Sequence, residues 1–197
     1  MPKNRLLSIK HLGQLAHTPC TYELALCPES PTPEDAIERL HTARHEAAHL
    51  CAAIASKSSV RWVYVNPYAR GNMASTSRAR PGRPHPQNIG EVFADAVLLR
   101  DEVFISIIGV AFERRKYPDC EHDLELAIEQ AREDGGGDAL VLQQARRAKH
   151  FLQTNYLAVD AAAVGILLLA NKQGVLKGIR LVALCKWLRG HLRDNFA

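Results

Sequence analysis

A mainly helical α+β domain, with a two- or three-stranded β element behind its first long helix, is the fold class this sequence predicts. Three observations predict it. Apolar residues recur at the three-to-four spacing of a core-facing helix over most of the chain beyond residue 32. Helix start and stop signals, such as Pro33 followed by acids, Pro118-Asp119 and Gly135-Gly136-Gly137, divide that pattern into segments. One short stretch, Val60 to Val65, alternates and is rich in β-formers. With 197 residues the chain suffices for one well-buried domain and leaves little for a second. Residues 31–197 are assigned to that domain, and residues 1–30 to an N-terminal extension packed on or near it.

In the extension, Leu6, Leu7 and Ile9 can dock a short segment, and Tyr22 to Leu26 reads as a short strand. A helix follows from about Pro33 to Ser56, with Thr32 as N-cap and acids in its first turn. Its apolar stripe is Ile37, Leu40, Ala47, Leu50, Cys51 and Ile54, and beyond His49 it is apolar all round. After strand 60–65, Asn66-Pro67 is a break, Gly71-Asn72 a turn, and Met73 to Ser77 a weaker edge strand. Residues 78–88 form a loop in which Arg78, Arg80 and Arg83 interleave with prolines. The helical period returns from Ile89 to about Lys116, broken or kinked near Gly109, and again from Pro118 to Glu133. Three further helices are expected at about 138–155, 158–172 and 178–194, with Gly174 as a C-cap. There is no internal repeat and no heptad array.

Composition narrows the function classes. Apolar residues make up 47% and charged residues 23%, as in ordinary soluble domains. A net charge of +4 is too mild for a nucleic-acid signature. The five cysteines form no C-x-x-C pair, which suits reduced thiols in the cytoplasm. The longest apolar run, Ala161 to Ala170, is half of what a bilayer requires, so no membrane partner is expected. The first 20 residues lack acids and faintly resemble a transit peptide, but Pro2 and weak amphipathicity speak for a cytoplasmic chain.

His45-Glu46-Ala47-Ala48-His49 carries the chemistry. In a helix, positions i and i+4 share one face, so His45 and His49 can share one zinc ion. Glu46 then stands where it can act as general base on a metal-activated water. A catalytic site needs a third protein ligand. A third histidine six residues after His49 is excluded, because that residue is Ala55. No Asp or Glu lies between Glu46 and Glu91, so the ligand comes from a distant segment. Spacing alone does not choose among Glu91, Asp95, Asp101, Glu102, Glu113, Asp119, Glu121, His122, Asp123 and Glu125.

Three blocks carry a resemblance. His45-Glu-Ala-Ala-His-Leu50 followed by a strand, Ile107-Ile-Gly-Val-Ala-Phe-Glu113, and His122-Asp-Leu-Glu-Leu-Ala-Ile-Glu-Gln-Ala-Arg132 occur in the order found in FtsH-type ATP-dependent zinc metalloproteases. They resemble that family's H-E-A-G-H-x, G-G-R-A-A-E and N-D-L-x-x-A-T-x-x-A-R segments, and the likeness spans about residues 35–180. The resemblance implies a His-His-Asp zinc site, with Asp123 as third ligand. Departures are Ala48 at the family's glycine, Tyr117 to Glu121 in place of Thr-Thr-Gly-Ala, and no G-x-x-x-x-G-K-[ST] motif.

The expectation is therefore an ATP-independent zinc metallopeptidase acting on peptides or unfolded proteins, with metal ligands His45, His49 and Asp123 and catalytic Glu46. The alternative is a silent FtsH-like binding or regulatory module with structural zinc or none. Nucleic acid is not an expected partner, although the Arg78–His85 loop motivates a weaker reading of that kind, and nothing in the sequence sets an oligomeric state. Among minor candidates, His122 is a substitute ligand, Cys120 a silencing fourth ligand, Glu113 a supporting group, and His41 a wrong-register histidine on the solvated face. Arg146, Arg147 and Lys149 read as a wet helix face.

Overall fold

A computed structural model describes residues 33–66, 90–95, 98–112 and 119–193. In chain order the elements are α1 (Pro33–Ala55), β1 (Ser59–Val65), β2 (Gly90–Asp95), α2 (Leu99–Phe112), α3 (Asp119–Glu133), α4 (Gly137–Leu169), β3 (Val175–Lys177) and α5 (Gly178–Arg189). The domain is mainly helical with one small antiparallel sheet of order β2-β1-β3, as the sequence predicts.

Helix α1 is the axis of the core. Ala43, Ala47, Ala48, Ala52 and Ala53 are fully buried, and their small side chains let α2 and α4 approach closely. Leu40, Leu50, Cys51 and Ile54 follow the predicted stripe inward, whereas Ile37 stays 48% exposed. The buried face of that turn is instead the one carrying Asp35, Ala36 and Arg39. Phe104 of α2 meets Phe151 of α4 edge-on, with ring centroids 5.7 Å apart.

Central strand β1 pairs with β2 from Ser59↔Asp95 to Val65↔Gly90, with a bulge between Val60 and Trp62. On its other side it pairs with β3 through Trp62↔Lys177 and Val63↔Leu176. Alternation sends Val63 and Val65 into the helical core, while Trp62 and Tyr64 are buried on the opposite face.

Several boundaries differ from the sequence reading. Residues 90–95 form a strand, not the start of a long helix, because ladder bonds with β1 outweigh a weak local helical preference. Helix α2 begins at Leu99 and passes through Gly109 without a break. The helices expected at 138–155 and 158–172 are one element, α4, kinked at Asn155 (φ −114°, ψ 16°). The Asn155 amide donates to the Phe151 and Arg193 carbonyls at 3.0 Å, and its oxygen accepts from Arg193 N–H at 2.7 Å. The kink is thus held by bonds to the C-terminal segment. Gly174 has φ +77° and caps no helix; its carbonyl accepts from Val65 N–H at 3.0 Å in the turn before β3.

Joined into one helix, α4 becomes long and apolar enough to cross a membrane by length and composition. Here its apolar residues Phe151, Val159, Ala162, Ala163 and Ile166 belong to the core. The extension (1–30), the Thr32 cap, the 71–77 turn and strand, the arginine loop and Glu113 lie outside the described residues.

Candidate metal centre

The spacing of His45 and His49 on α1 puts their rings edge-on to each other on one face, with centroids 4.7 Å apart. Both are buried at the boundary where α1 becomes apolar all round. Helix α3 brings Asp123 to them from 74 residues away. Asp123 Oδ2 lies 3.1 Å from both Nε2 atoms, and the two Nε2 atoms are 3.0 Å apart. The three atoms form a small triangle, the one group of metal-ligating side chains among the described residues.

Helix α2 supplies the back wall. His49 Nδ1 lies 2.6 Å from the Ile105 carbonyl oxygen, an acceptor that sets the tautomer: Nδ1 carries the proton and donates it. One turn later on the same face is Gly109. A Cβ built there would stand 2.6 Å from His49 Nε2 and 2.7 Å from His45 Cε1, and closer still to Asp123 Oδ2. Only a residue without a side chain lets α2 sit this near the triangle. Gly90 does the same at the first residue of β2, where a Cβ would stand 2.6 Å from Cγ and 2.7 Å from Cδ of Glu46. The Glu46 carboxyl is therefore packed beneath the β2 backbone, within electrostatic reach of His49, with the residue only 5% exposed.

The electrostatics favour positive charge in the triangle. Burial alone pushes the His49 imidazole down, but the charge and hydrogen bond of Asp123, helped by Glu46, outweigh burial and repulsion from His45, and hold it above 6.5. Burial would raise Asp123, yet His49 and His45 keep its carboxyl well below the ordinary carboxylate range. With Nδ1 protonated, neutral His49 would turn an Nε2 lone pair toward an anionic oxygen at 3.1 Å. That arrangement calls for a shared cation: a proton or a metal ion. The donor set of two imidazoles and one carboxylate suits zinc. Zinc bonds of about 2.0–2.1 Å in a tetrahedron put ligands about 3.3 Å apart, so the observed triangle needs to open by only about 0.3 Å.

The remaining candidates stand elsewhere. His122 is exposed, as are Glu121 and Glu125, because only one face of α3 turns toward α2 and α4. Asp101 is paired with Arg147 at 3.2 Å, and burial with Glu133 nearby raises the Glu102 carboxyl. Glu91 is half-buried on β2. His41 is half-buried, its ring tilted against Phe112 at 6.2 Å instead of facing solvent freely. The Asp95, Asp119 and Cys120 side chains lie outside the described set. Arg147 is not on a wet face: its guanidinium lies 4.0 Å from the Phe104 ring centroid.

Sequence reasoning missed Gly90, Gly109 and the Ile105 carbonyl. A glycine inside an apolar helical run was the available signal for Gly109; close backbone approach, not a break, is its structural meaning. Comparison of the chain with protein-family models, curated proteins and solved structures returned no match.

Proposed function

We propose that this chain is a zinc metallopeptidase of FtsH-like type, in which His45, His49 and Asp123 hold the ion and Glu46 is the general base. The observation that carries the reading is the tautomer of His49. Its Nδ1–H is committed to Ile105, so its Nε2 lone pair meets His45 Nε2 and Asp123 Oδ2 at the one point where a divalent cation satisfies all three. A zinc ion held there would supply Lewis-acid activation of a water and of a substrate carbonyl. Glu46, one residue along α1 from His45, accepts the water's proton during attack and returns it to the leaving amine. Gly90 lets the β2 backbone press on that carboxyl and fix its direction. The three sequence blocks that resemble FtsH-type peptidases support the same assignment, and cleavage of peptides without ATP is part of the proposal.

Deep burial of Glu46 favours a second reading, a site that holds its ion without turnover. One experiment separates the two: zinc content and peptide-library cleavage for wild type and Glu46→Gln. A peptidase gives about one zinc per chain in both proteins, with cleavage reduced about 10²–10⁴-fold in the variant. Full cleavage by Glu46→Gln would sink the general-base assignment. No cleavage by zinc-loaded wild type would favour the silent module.

A further inference from the structure

Charge along the chain is distributed unevenly. From Ala161 to Arg193 there is no Asp or Glu, while Lys172, Lys177, Arg180, Lys186, Arg189 and Arg193 are all cationic. With a total of +4, the rest of the chain sums to −2. β3, α5 and their flanking turns are therefore a basic segment, as is the acid-free stretch 47–90 with Lys57, Arg61, Arg70, Arg78, Arg80 and Arg83.

Helix α5 sorts its residues by face. Leu181, Leu184, Cys185 and Leu188 are buried against the domain. The opposite arc carries Ile179, 84% exposed, and Val182, 60% exposed, set among Lys186 and Arg189. The Arg180 guanidinium donates to the Leu169 carbonyl at 3.2 Å, which brings half-exposed Leu168 to the same end of the helix. Trp187 is half-buried on the flank, its ring stacked on His191 at 4.2 Å. Two branched aliphatics in water are costly, and the cations that share their arc, Lys186 and Arg189, set the chemistry of what can cover them.

We propose that this face of α5 docks on an anionic lipid surface, lying in the headgroup region without spanning it. Cations meet lipid phosphates and carboxylates, and Ile179 and Val182 enter the acyl boundary. A nucleic-acid backbone satisfies the cations but offers the aliphatics nothing, which is why lipid is the better partner. The surface shares no residue with the metal centre, so the two proposals stand or fall separately. It departs from the sequence-based expectation of no membrane partner because exposure, not hydropathy, reveals it.

The test is co-sedimentation of the full chain with phosphatidylcholine vesicles containing roughly one-third phosphatidylserine, against pure phosphatidylcholine, at about 50 mM and about 500 mM salt. Binding is expected only to the anionic vesicles and only at low salt. Lys177→Ala with Lys186→Ala weakens partitioning roughly thirtyfold, at about fivefold per cation near an anionic surface. Ile179→Ser leaves the charge unchanged and weakens it roughly tenfold through lost apolar burial. These positions are exposed, so the circular dichroism and melting profiles stay those of wild type. Absence of binding to the anionic vesicles overturns the proposal, as does binding indifferent to Ile179→Ser. Random-sequence duplex DNA that displaces the vesicles and tolerates Ile179→Ser makes this a nucleic-acid face and overturns it too.

Discussion

Gly109→Ala is the sharpest perturbation of the candidate metal centre, because one methyl group meets all three proposed ligands at once. The added Cβ would stand 2.6 Å from His49 Nε2 and 2.7 Å from His45 Cε1, where ordinary contact begins near 3.4 Å. Relief needs a shift of about 0.7–0.8 Å by both rings and a larger one by the Asp123 carboxylate, or a comparable displacement of α2. Overpacking of this kind costs about 1–3 kcal/mol. Replacing a helical glycine by alanine returns about 0.5–1 kcal/mol. The net stability loss is therefore small, about 0–2.5 kcal/mol. Zinc is less forgiving, since its ligand distances hold to about 0.2 Å. The expected result is a folded protein whose zinc affinity, measured by competition with a chromophoric chelator, falls at least roughly a hundredfold. Gly165→Ala is the control: its Cβ meets only the flexible Leu184 methyl at 3.0 Å, and zinc affinity should not change. A Gly109→Ala protein that binds zinc within threefold of wild type, at unchanged melting temperature, would refute the geometry.

In chelator-treated protein, the raised His49 pKa contributes stability that is full below 6.5 and lost as pH rises through the folded value. The lowered Asp123 pKa contributes stability that is full above 3.8 and lost as pH falls toward its depressed value. The ion-free melting temperature should therefore peak between about pH 4 and 6.5, while zinc-induced stabilisation grows above that window as His49 sheds its proton; a flat ion-free profile from about pH 5 to 9 contradicts the coupling. Asn155→Leu strands the Arg193 N–H and carbonyl and should cost about 1–3 kcal/mol, lowering the melting temperature and opening the C-terminal segment to proteases; unchanged proteolysis would discount the clamp. Arg147→Ala loses both the stack on Phe104 and the Asp101 pair, for about 1–2 kcal/mol in urea unfolding, and Arg147→Lys recovers less than half because an ammonium lacks the flat face; full recovery by lysine would leave charge alone as the cause.

Legibility in the sequence followed the range of the interaction. Helix α1 is read correctly from Pro33 to its end because its signals are local: a proline and acids at the start, a three-to-four apolar stripe, then apolar residues all round. The pairing of His45 with His49 is local too, since helix geometry alone puts positions i and i+4 together. β2 was misread as helix because its strand state depends on ladder bonds to β1, which no local window contains. Arg147 was misread for the same reason: its partners Asp101 and Phe104 lie more than 40 residues away.

By itself, then, the sequence determined the fold class, the histidine pair with its neighbouring carboxylate, and the residues able to supply a third ligand. Tertiary structure alone decided that α3 turns Asp123 inward and His122 outward, that Ile105 sets the His49 tautomer, and that Gly109 and Gly90 let backbone approach the site. The physical reason is that a triangle of ligand-type atoms about 3 Å on a side, with the α2 backbone against it, needs three helices positioned to within a few tenths of an ångström. Periodicity specifies which face of a helix is buried, but only packing against its neighbours specifies how close that face comes.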